Sequence, residues 1–258
     1  MKLTQIRNAT IKLEYGGSRF LIDPMLSDEG VWDGFPDTPR SELRNPLVSL
    51  PFAIADIVDT DIVIVTHTHI DHWDEAAVKH ISKHQLIYTQ DQKDAELLRS
   101  QAFSNVSVLD DKTELSGVTI YKTDGQHGSD EAYSIPQVAE FLGDACGLVF
   151  THPDEKTLYL AGDTIWVQPV IDSLEHYRPD VVVLNAGYAH INGLGAIIMG
   201  KEDFVRAHAL LPEATLVASH MEAVNHCILS REELKDYVSE QRIGDFVIVP
   251  DDGESVHF

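Results

Sequence analysis

Short apolar runs that end in turns or polar clusters divide the chain into predicted strands. Residues 10–15 alternate between apolar and polar, Gly16-Gly17 supplies a two-residue turn, and residues 18–23 run apolar as far as Asp23. This pattern predicts a β-hairpin. Similar runs predict further strands at residues 61–66, 86–88, 118–122, 158–160, 181–184, 216–218 and 246–249.

Four other segments carry the signals of helices, at residues 74–84, 94–100, 201–211 and 230–241. The first begins with acidic side chains and ends with basic ones, which the helix dipole favours. The last begins with Ser230 and Glu233 at capping-box spacing, and Gly244 follows its end. Because strands and helices alternate, we predict the α/β class, with residues 24–60 and 128–142 as two long loops.

Histidine and aspartate side chains cluster directly after the strand predicted at residues 61–66. His67 and His69 lie two residues apart, so their side chains point the same way at the strand end and can converge on one metal ion. Asp71 and His72 follow where the chain turns into a helix, and they can face a second metal ion beside the first. The spacing therefore predicts two metal ions rather than one.

Three later strand ends supply further candidate ligands. We predict two sets, which are His67, His69 and His127 for one metal and Asp71, His72 and His220 for the other, with Asp163 bridging them. His226 competes with His220 as the last ligand, but His220 is preferred because it ends its strand directly. Zn is the metal expected first, and Mn or Fe suits the same imidazole and carboxylate donors.

Two divalent metal ions about 3.5 to 4 Å apart would hold a shared hydroxide, because they lower the pKa of bound water to roughly 7. This hydroxide would attack a carbonyl or phosphorus atom of a small substrate. Asp71, Asp163 and the hydroxide would offset most of the metal charge, and the remaining charge of about +1 favours a substrate with an anionic oxygen. Asp71 is also the residue predicted to take up the proton.

Four other residues are expected to support or flank this site. Asp23 and Thr66 suit a role in orienting the ligand imidazoles from behind. His190 follows a predicted strand end, and His226 lies in the loop after His220. Both are candidates for contact with the substrate.

The two predicted loops contribute candidates of another kind. Tyr133 and Phe141 follow His127 and are candidates for the wall of a pocket. Arg40 and Arg44 lie in the proline-rich segment and could reach an anionic substrate if that segment folds over the site, but surface salt bridges are their expected role in so acidic a chain.

Composition narrows the classes of function. The 258 residues, of which 43% are hydrophobic, are predicted to form one domain spanning residues 1–258. A formal net charge of −23 without a Lys/Arg cluster argues against nucleic acid as a partner. A small-molecule substrate is expected instead, and a homo-oligomer is left open. Cys146 and Cys227 are too few for a disulfide framework, and no export signal or membrane-spanning run is present. We therefore expect a cytoplasmic protein without membrane partners.

The motif His67-Thr68-His69-Ile70-Asp71-His72 resembles the HxHxDH signature of the metallo-β-lactamase superfamily. Residues 126–128, 161–164 and 218–220 resemble the third, fourth and fifth motifs of that superfamily, in the same order. The resemblance implies a metallo-β-lactamase αβ/βα four-layer sandwich with a binuclear metal centre between its sheets. It also implies a metal-dependent hydrolase.

A narrower resemblance concerns residues 21–24 and 198–203. These stretches look most similar to the group around L-ascorbate-6-phosphate lactonase, which implies a lactone, amide or phosphoester substrate. An insertion at residues 189–197 departs from that group, so contacts in its pocket cannot be transferred to this chain.

Two other functions remain open. A mononuclear iron oxygenase of the persulfide dioxygenase type would leave part of the second ligand set empty, and a metal-binding protein without catalysis would keep both sets. About two Zn or Mn ions per chain would support hydrolysis, whereas one iron ion would support oxygenation.

Overall fold

Two seven-stranded β-sheets form the centre of the protein, and the computed structural model describes residues 1–258. The first sheet contains β1 (Lys2–Arg7), β2 (Thr10–Tyr15), β3 (Ser18–Ile22), β4 (Ile62–Val65), β5 (Leu86–Thr89), β6 (Val106–Val108) and β16 (Ser255–His257). The second contains β7 (Lys112–Leu115), β8 (Val118–Thr123), β9 (Gly147–Thr151), β10 (Leu158–Leu160), β11 (Val181–Asn185), β14 (Thr215–Ser219) and β15 (Val247–Ile248). Strands β12 (His190–Ile191) and β13 (Gly195–Ala196) pair with each other.

The two sheets share one plan. The first has the order β16-β1-β2-β3-β4-β5-β6, antiparallel as far as β3 and parallel from β3 to β6. The second has the order β15-β14-β11-β10-β9-β8-β7, parallel as far as β10 and antiparallel beyond it. Parallel strands are buried on both faces, which explains the unbroken apolar run of β4.

Helices cover the outer face of each sheet. The first sheet is covered by α1 (Ile54–Ile57), α2 (Glu75–His80) and α3 (Gln92–Ser100). The second is covered by α6 (Gln168–Tyr177), α7 (Lys201–Leu210) and α8 (Arg231–Glu240). Between the sheets, Phe20 of β3 packs edge-on against Phe150 of β9 within a buried apolar cluster. The layers are therefore helix, sheet, sheet and helix, which confirms the predicted α/β four-layer sandwich.

The bounds of one predicted helix and the content of one predicted loop differ from the structure. The helix predicted at residues 74–84 ends at His80, because Ile81 is extended (ψ 135°) and buries its side chain. Residues 128–142, predicted as a loop, contain α4 (Asp130–Tyr133) and α5 (Pro136–Leu142). The second of these begins with proline, whose fixed φ suits the first turn of a helix.

The capping box predicted for α8 forms only in part. The Ser230 hydroxyl accepts a hydrogen bond from the Glu233 N–H, as the spacing predicts. The Glu233 carboxylate pairs instead with Lys201. Across the whole fold, no helix combines the length and the hydrophobicity that crossing a bilayer requires.

Candidate metal centre

The ends of strands in both sheets bring the seven predicted ligands together. The HxHxDH residues follow β4, His127 follows β8, Asp163 follows β10, and His220 follows β14. Three groups of side chains place their ligand atoms within 4.8 Å of one another, namely His67, His69 and His127; His67, His72 and Asp163; and Asp71, His72 and His220. The first and third groups have the same members as the two predicted sets.

The first group, His67, His69 and His127, consists of three uncharged imidazoles. His67 Nε2 lies 3.0 Å from His69 Nδ1, and His127 Nδ1 donates to the carbonyl oxygen of Ile197 at 2.9 Å. Burial lowers the pKa of His67 and His127 below the ordinary value, and it lowers the pKa of His69 to about 4. The ring nitrogens of this group can therefore bind a metal ion without first losing a proton.

The second group, Asp71, His72 and His220, has a different charge state. His220 Nε2 lies 3.2 Å from both Asp71 Oδ2 and His72 Nε2. Burial opposes a charge on His72, but Asp163 and Asp23 outweigh it and raise the pKa of His72 to about 10. Burial likewise opposes a charge on His220, and Asp163 is the first cause that raises the pKa of His220 well above its ordinary value. A metal ion would have to displace protons from this group.

Asp163 lies between the two groups. Its Oδ2 atom is 3.2 Å from His72 Nε2 and 3.6 Å from His220 Nε2 in the second group. The same atom is 3.6 Å from His127 Nε2 and 3.9 Å from His67 Nε2 in the first. A single carboxylate oxygen therefore faces four imidazoles from both groups.

The other oxygen of Asp163 is held by Asn185 at the end of β11, whose Nδ2 donates to Oδ1 at 2.7 Å. The turn before Asp163 depends on Gly162. This residue has a φ of 70°, and a Cβ atom there would lie 2.3 Å from the carbonyl oxygen of Cys146. Only glycine fits this backbone, so Gly162 allows the chain to leave β10 and present Asp163.

Asp23 and Thr66 contact two of the imidazoles from behind, where the sequence predicts them. Asp23 Oδ2 accepts hydrogen bonds from His72 Nδ1 at 2.9 Å and from the Thr66 hydroxyl at 2.7 Å. Thr66 Oγ1 also lies 3.2 Å from His67 Nδ1. These contacts direct the Nε2 atoms of both rings towards the centre.

Three residues that the sequence prediction missed also contact the cluster, and they are Asn8, Asn185 and Cys227. Asn8 Nδ2 lies 3.2 Å from His220 Nε2, and Cys227 Sγ lies 3.4 Å from His220 Nδ1. Asn185 ends a strand, which is the signal that marks the other site residues. Asn8 and Cys227 lie in a turn and a loop and carry no such signal.

His226 lies beside the cluster rather than in it, and His190 is joined to His226 through the backbone. His226 is 5% exposed, and its Nδ1 is buried without a hydrogen-bond partner. Burial lowers the pKa of His226 to about 3, although the charge of Asp71 opposes this shift. The His190 N–H donates to the carbonyl oxygen of His226, and His190 Nε2 is also buried without a partner. The second group contains His220 and not His226, in line with the preferred prediction.

The proline-rich segment 24–60 folds against the loop that carries His226. Arg40 donates to the backbone carbonyls on either side of His226. The prediction of a surface salt bridge for Arg40 is therefore wrong, because backbone oxygens occupy its guanidinium. Arg44 forms the predicted salt bridge, with Asp33.

A cavity of about 140 Å³ opens beside His67 and His69. Phe141 of α5 lines it, stacks on His69 with 5.5 Å between ring centroids, and accepts a hydrogen bond from His69 Nε2 at its carbonyl oxygen. The prediction of a pocket wall is confirmed for Phe141. Tyr133 does not line this cavity, and it donates its hydroxyl to the carbonyl oxygen of Gly143.

The family of the protein follows from comparison with known proteins. The sequence profile of a family described as Beta-lactamase superfamily domain matches residues 18–221. UPF0173 protein YddR of Bacillus subtilis is 45% identical over 259 residues, which cover 100% of both chains. The chain belongs to the UPF0173 family of the beta-lactamase superfamily.

Two other proteins extend this comparison. UPF0173 metal-dependent hydrolase PYRAB05000 of Pyrococcus abyssi is 28% identical over 247 residues, which are 93% of each chain. The crystal structure of an isothiocyanate hydrolase from Delia radicum gut bacteria is 57% identical, with a TM-score of 0.99 and coverage of 100% of this chain and 99% of its own.

The UPF0173 relatives confirm the superfamily that the sequence motifs implied. They also confirm the expected class of enzyme, because the family includes proteins named metal-dependent hydrolases. None of the three proteins is named a lactonase, so they give no support to the narrower resemblance.

Proposed function

We propose that this protein is a hydrolase that uses two divalent metal ions. One would be held by His67, His69 and His127, the other by Asp71, His72 and His220, with Asp163 shared between them. The observation that carries this proposal is the position of Asp163 Oδ2, which lies within 3.9 Å of ring nitrogens from both groups. Imidazole nitrogens and carboxylate oxygens suit Zn, and also Mn or Fe.

Two such ions, when bound, lower the pKa of water and polarise the substrate atom under attack. The side chains of the protein position these reactants. Asp23 and Thr66 fix the orientation of His72 and His67. Asp71 stays ionised, because its hydrogen bond to His220 is the first of the effects that outweigh burial and lower its pKa well below the ordinary value. We assign to Asp71 the uptake of the proton that the attacking water loses.

We propose an isothiocyanate, R–N=C=S, as the substrate. The support is the 57% identity with an isothiocyanate hydrolase over the whole chain. The oxygen of water would bond to the central carbon, and both protons would pass to nitrogen. The bond between nitrogen and the central carbon would break, while the bond between nitrogen and R stays intact. The products are an amine and carbonyl sulfide, so the reaction needs no oxidant or reductant. This substrate is neutral, unlike the anionic substrate expected from the sequence.

We also propose that His226 and His190 contact the substrate. A neutral imidazole buried without a partner can donate a hydrogen bond, and both rings have such a nitrogen. Negative charge develops on sulfur and nitrogen as water attacks the central carbon. An N–H donor placed there would stabilise the transition state more than the ground state.

We further propose that residues 1–258 form one domain. The support is the apolar cluster between the sheets, which joins Leu3 near one end of the chain to Val217 near the other. Both sheets would then depend on one core.

The test of the proposed function is an assay of the metal-loaded protein with benzyl isothiocyanate, in which the released amine is measured. A lactone, an amide, a phosphomonoester and a phosphodiester serve as comparison substrates, and His127→Ala is the control variant. We expect amine release by the wild type only. Hydrolysis of a lactone or phosphoester without any amine release would mean that the substrate belongs to that class and is not an isothiocyanate. Activity retained by His127→Ala would place the reaction at another site.

A mononuclear iron oxygenase is the second candidate function. The observation in its favour is that His67, His69 and His127 form a complete group of three neutral imidazoles. The equally complete second group favours the hydrolase. Metal analysis of the purified protein separates them, because one iron ion per chain would support the oxygenase and about two Zn or Mn ions the hydrolase.

A further inference from the structure

Asn8 contacts two ligands of the second group without belonging to the predicted ligand set. It lies fully buried in the turn between β1 and β2, with a φ of 55° that asparagine tolerates better than most residues. Its Nδ2 atom lies 3.1 Å from the carbonyl oxygen of Asp71, 3.5 Å from Asp71 Oδ2 and 3.2 Å from His220 Nε2. Its Oδ1 atom is buried and has no partner.

The backbone of Asn8 holds the strand end that carries His220. The carbonyl oxygen of Asn8 accepts hydrogen bonds from the His220 N–H at 2.9 Å and from the Ser219 hydroxyl at 3.2 Å. The turn that contains Asn8 belongs to the first sheet, whereas Ser219 and His220 end β14 of the second. Asn8 therefore joins the two sheets at the position where they contribute Asp71 and His220.

Metal binding would change the partners of the Asn8 amide. When His220 Nε2 binds a metal ion, that nitrogen is no longer a hydrogen-bond partner of Asn8. Both hydrogens of Nδ2 can then be donated to Asp71, one to its backbone oxygen and one to its carboxylate. A hydrogen bond to a ligating carboxylate orients it, and loss of such a bond lowers metal affinity by about 10- to 100-fold.

We propose that Asn8 is a positioning residue that sets the metal affinity of the second group separately from that of the first. Its hydrogen bonds reach Asp71 and the segment of His220, and none reaches His67, His69 or His127. The inference rests on the proposed two-metal centre. The shared Asp163 faces both groups, so it does not set their metal affinities separately. The neutral side chain of Asn8 contacts only the second group.

The test is a stepwise titration with Zn²⁺ at pH 8 in competition with a chelator of known affinity. Asn8→Gly removes the side chain and retains the left-handed backbone, and Asn8→Asp retains the shape but replaces the donor by a carboxylate beside Asp71. We expect the second Zn²⁺ to bind about 10- to 100-fold more weakly in Asn8→Gly and at least as weakly in Asn8→Asp. The first Zn²⁺ should bind as in the wild type.

Asn185→Ala is the matched comparison, because Asn185 holds the shared Asp163. This variant should weaken both binding steps. Thermal unfolding of each metal-free variant shows whether the fold is retained, and Asn8→Asp keeps the test decisive if Asn8→Gly does not fold.

Four results would overturn the proposed role of Asn8. Tighter binding of the second Zn²⁺ by Asn8→Asp would mean that the side chain acts as a ligand through oxygen. Unchanged affinities in both Asn8 variants would mean that it has no role in metal binding, and equal weakening of both steps would mean a general structural role. A wild type that binds only one ion would overturn the two-metal proposal as well, so the two failures are distinguishable.

Discussion

His72 Nδ1 donates a hydrogen bond of 2.9 Å to Asp23 Oδ2, although 49 positions separate the two residues in the chain. Asp23 follows β3 and His72 follows β4, and these strands are parallel neighbours in the first sheet. The other oxygen of Asp23 accepts from the Thr66 N–H at 2.7 Å. One carboxylate therefore holds both the backbone of Thr66, where the HxHxDH segment begins, and the ring of His72 at the end of that segment.

Asp23→Asn should weaken metal binding without unfolding the protein. The amide keeps the shape of the side chain but carries no charge. Its NH₂ group, placed where Oδ2 now lies, would face the N–H of His72 Nδ1 instead of accepting a hydrogen bond from it. We expect Zn²⁺ affinity to fall by about 10- to 100-fold, measured by chelator competition. Asp28→Asn changes an exposed carboxylate in the same segment and should bind Zn²⁺ like the wild type. Equal affinities in the two variants would contradict an orienting role for Asp23.

Asp163→Ala should lower the metal content to one ion or none and abolish turnover. The variant removes the one oxygen that faces imidazoles of both groups, and it leaves those imidazoles without their shared carboxylate. Metal content is measured by elemental analysis after dialysis, and turnover by amine release. Asp124→Ala, at an exposed carboxylate near His127, is the control. Full activity with two ions in Asp163→Ala would end the bridging interpretation.

Asp74→Ala should destabilise the helix that follows the ligand loop. Asp74 Oδ1 accepts from the Ala77 N–H at 2.8 Å as the N-cap of α2, and Oδ2 accepts from the Ser27 N–H at 2.7 Å. Loss of an N-cap costs about 1 kcal/mol, and a buried N–H left without a partner adds about 1 to 3 kcal/mol. Urea unfolding of the metal-free protein measures the sum. Asp74→Asn retains one acceptor oxygen, so a loss of stability as large as that of Asp74→Ala would contradict the capping role.

Much of this site could be predicted from the sequence because its ligands follow strands. An apolar run that ends in His67 or His220 predicts both a buried strand and the position of the histidine side chain at the end of that strand. The order of the motifs then identified the superfamily, and with it the four-layer arrangement. Asp23 and Thr66 could be predicted as neighbours of the ligands for the same reason.

The contacts that the sequence did not reveal depend on tertiary structure. Asn8 lies in a turn whose residues look like those of any hairpin, and it reaches His220 only because the two sheets pack together. The prediction missed strand β9 and helix α6, and the apolar positions of α6 are too mixed with polar ones to separate it from a loop. Arg40 could not be assigned, because its partners are backbone carbonyls of a loop that precedes the last helix.

Binding of Zn²⁺ to the second group should become tighter as the pH rises. In the metal-free protein, the pKa of His72 is about 10 and the pKa of His220 lies well above its ordinary value. Both rings hold protons at neutral pH, and a metal ion must displace them. Protons compete below these pKa values, so the affinity should rise as the pH is raised through the neutral range.

The first group should not share this dependence, since burial lowers the pKa values of His67, His69 and His127. Calorimetric titration with Zn²⁺ in buffers of different ionisation enthalpy measures the protons released in each step. At pH 7 we expect about one to two protons for the second group and close to none for the first. Equal proton release in the two steps would contradict the difference in charge between the groups. A second step whose affinity falls as the pH rises would contradict the raised pKa of His72.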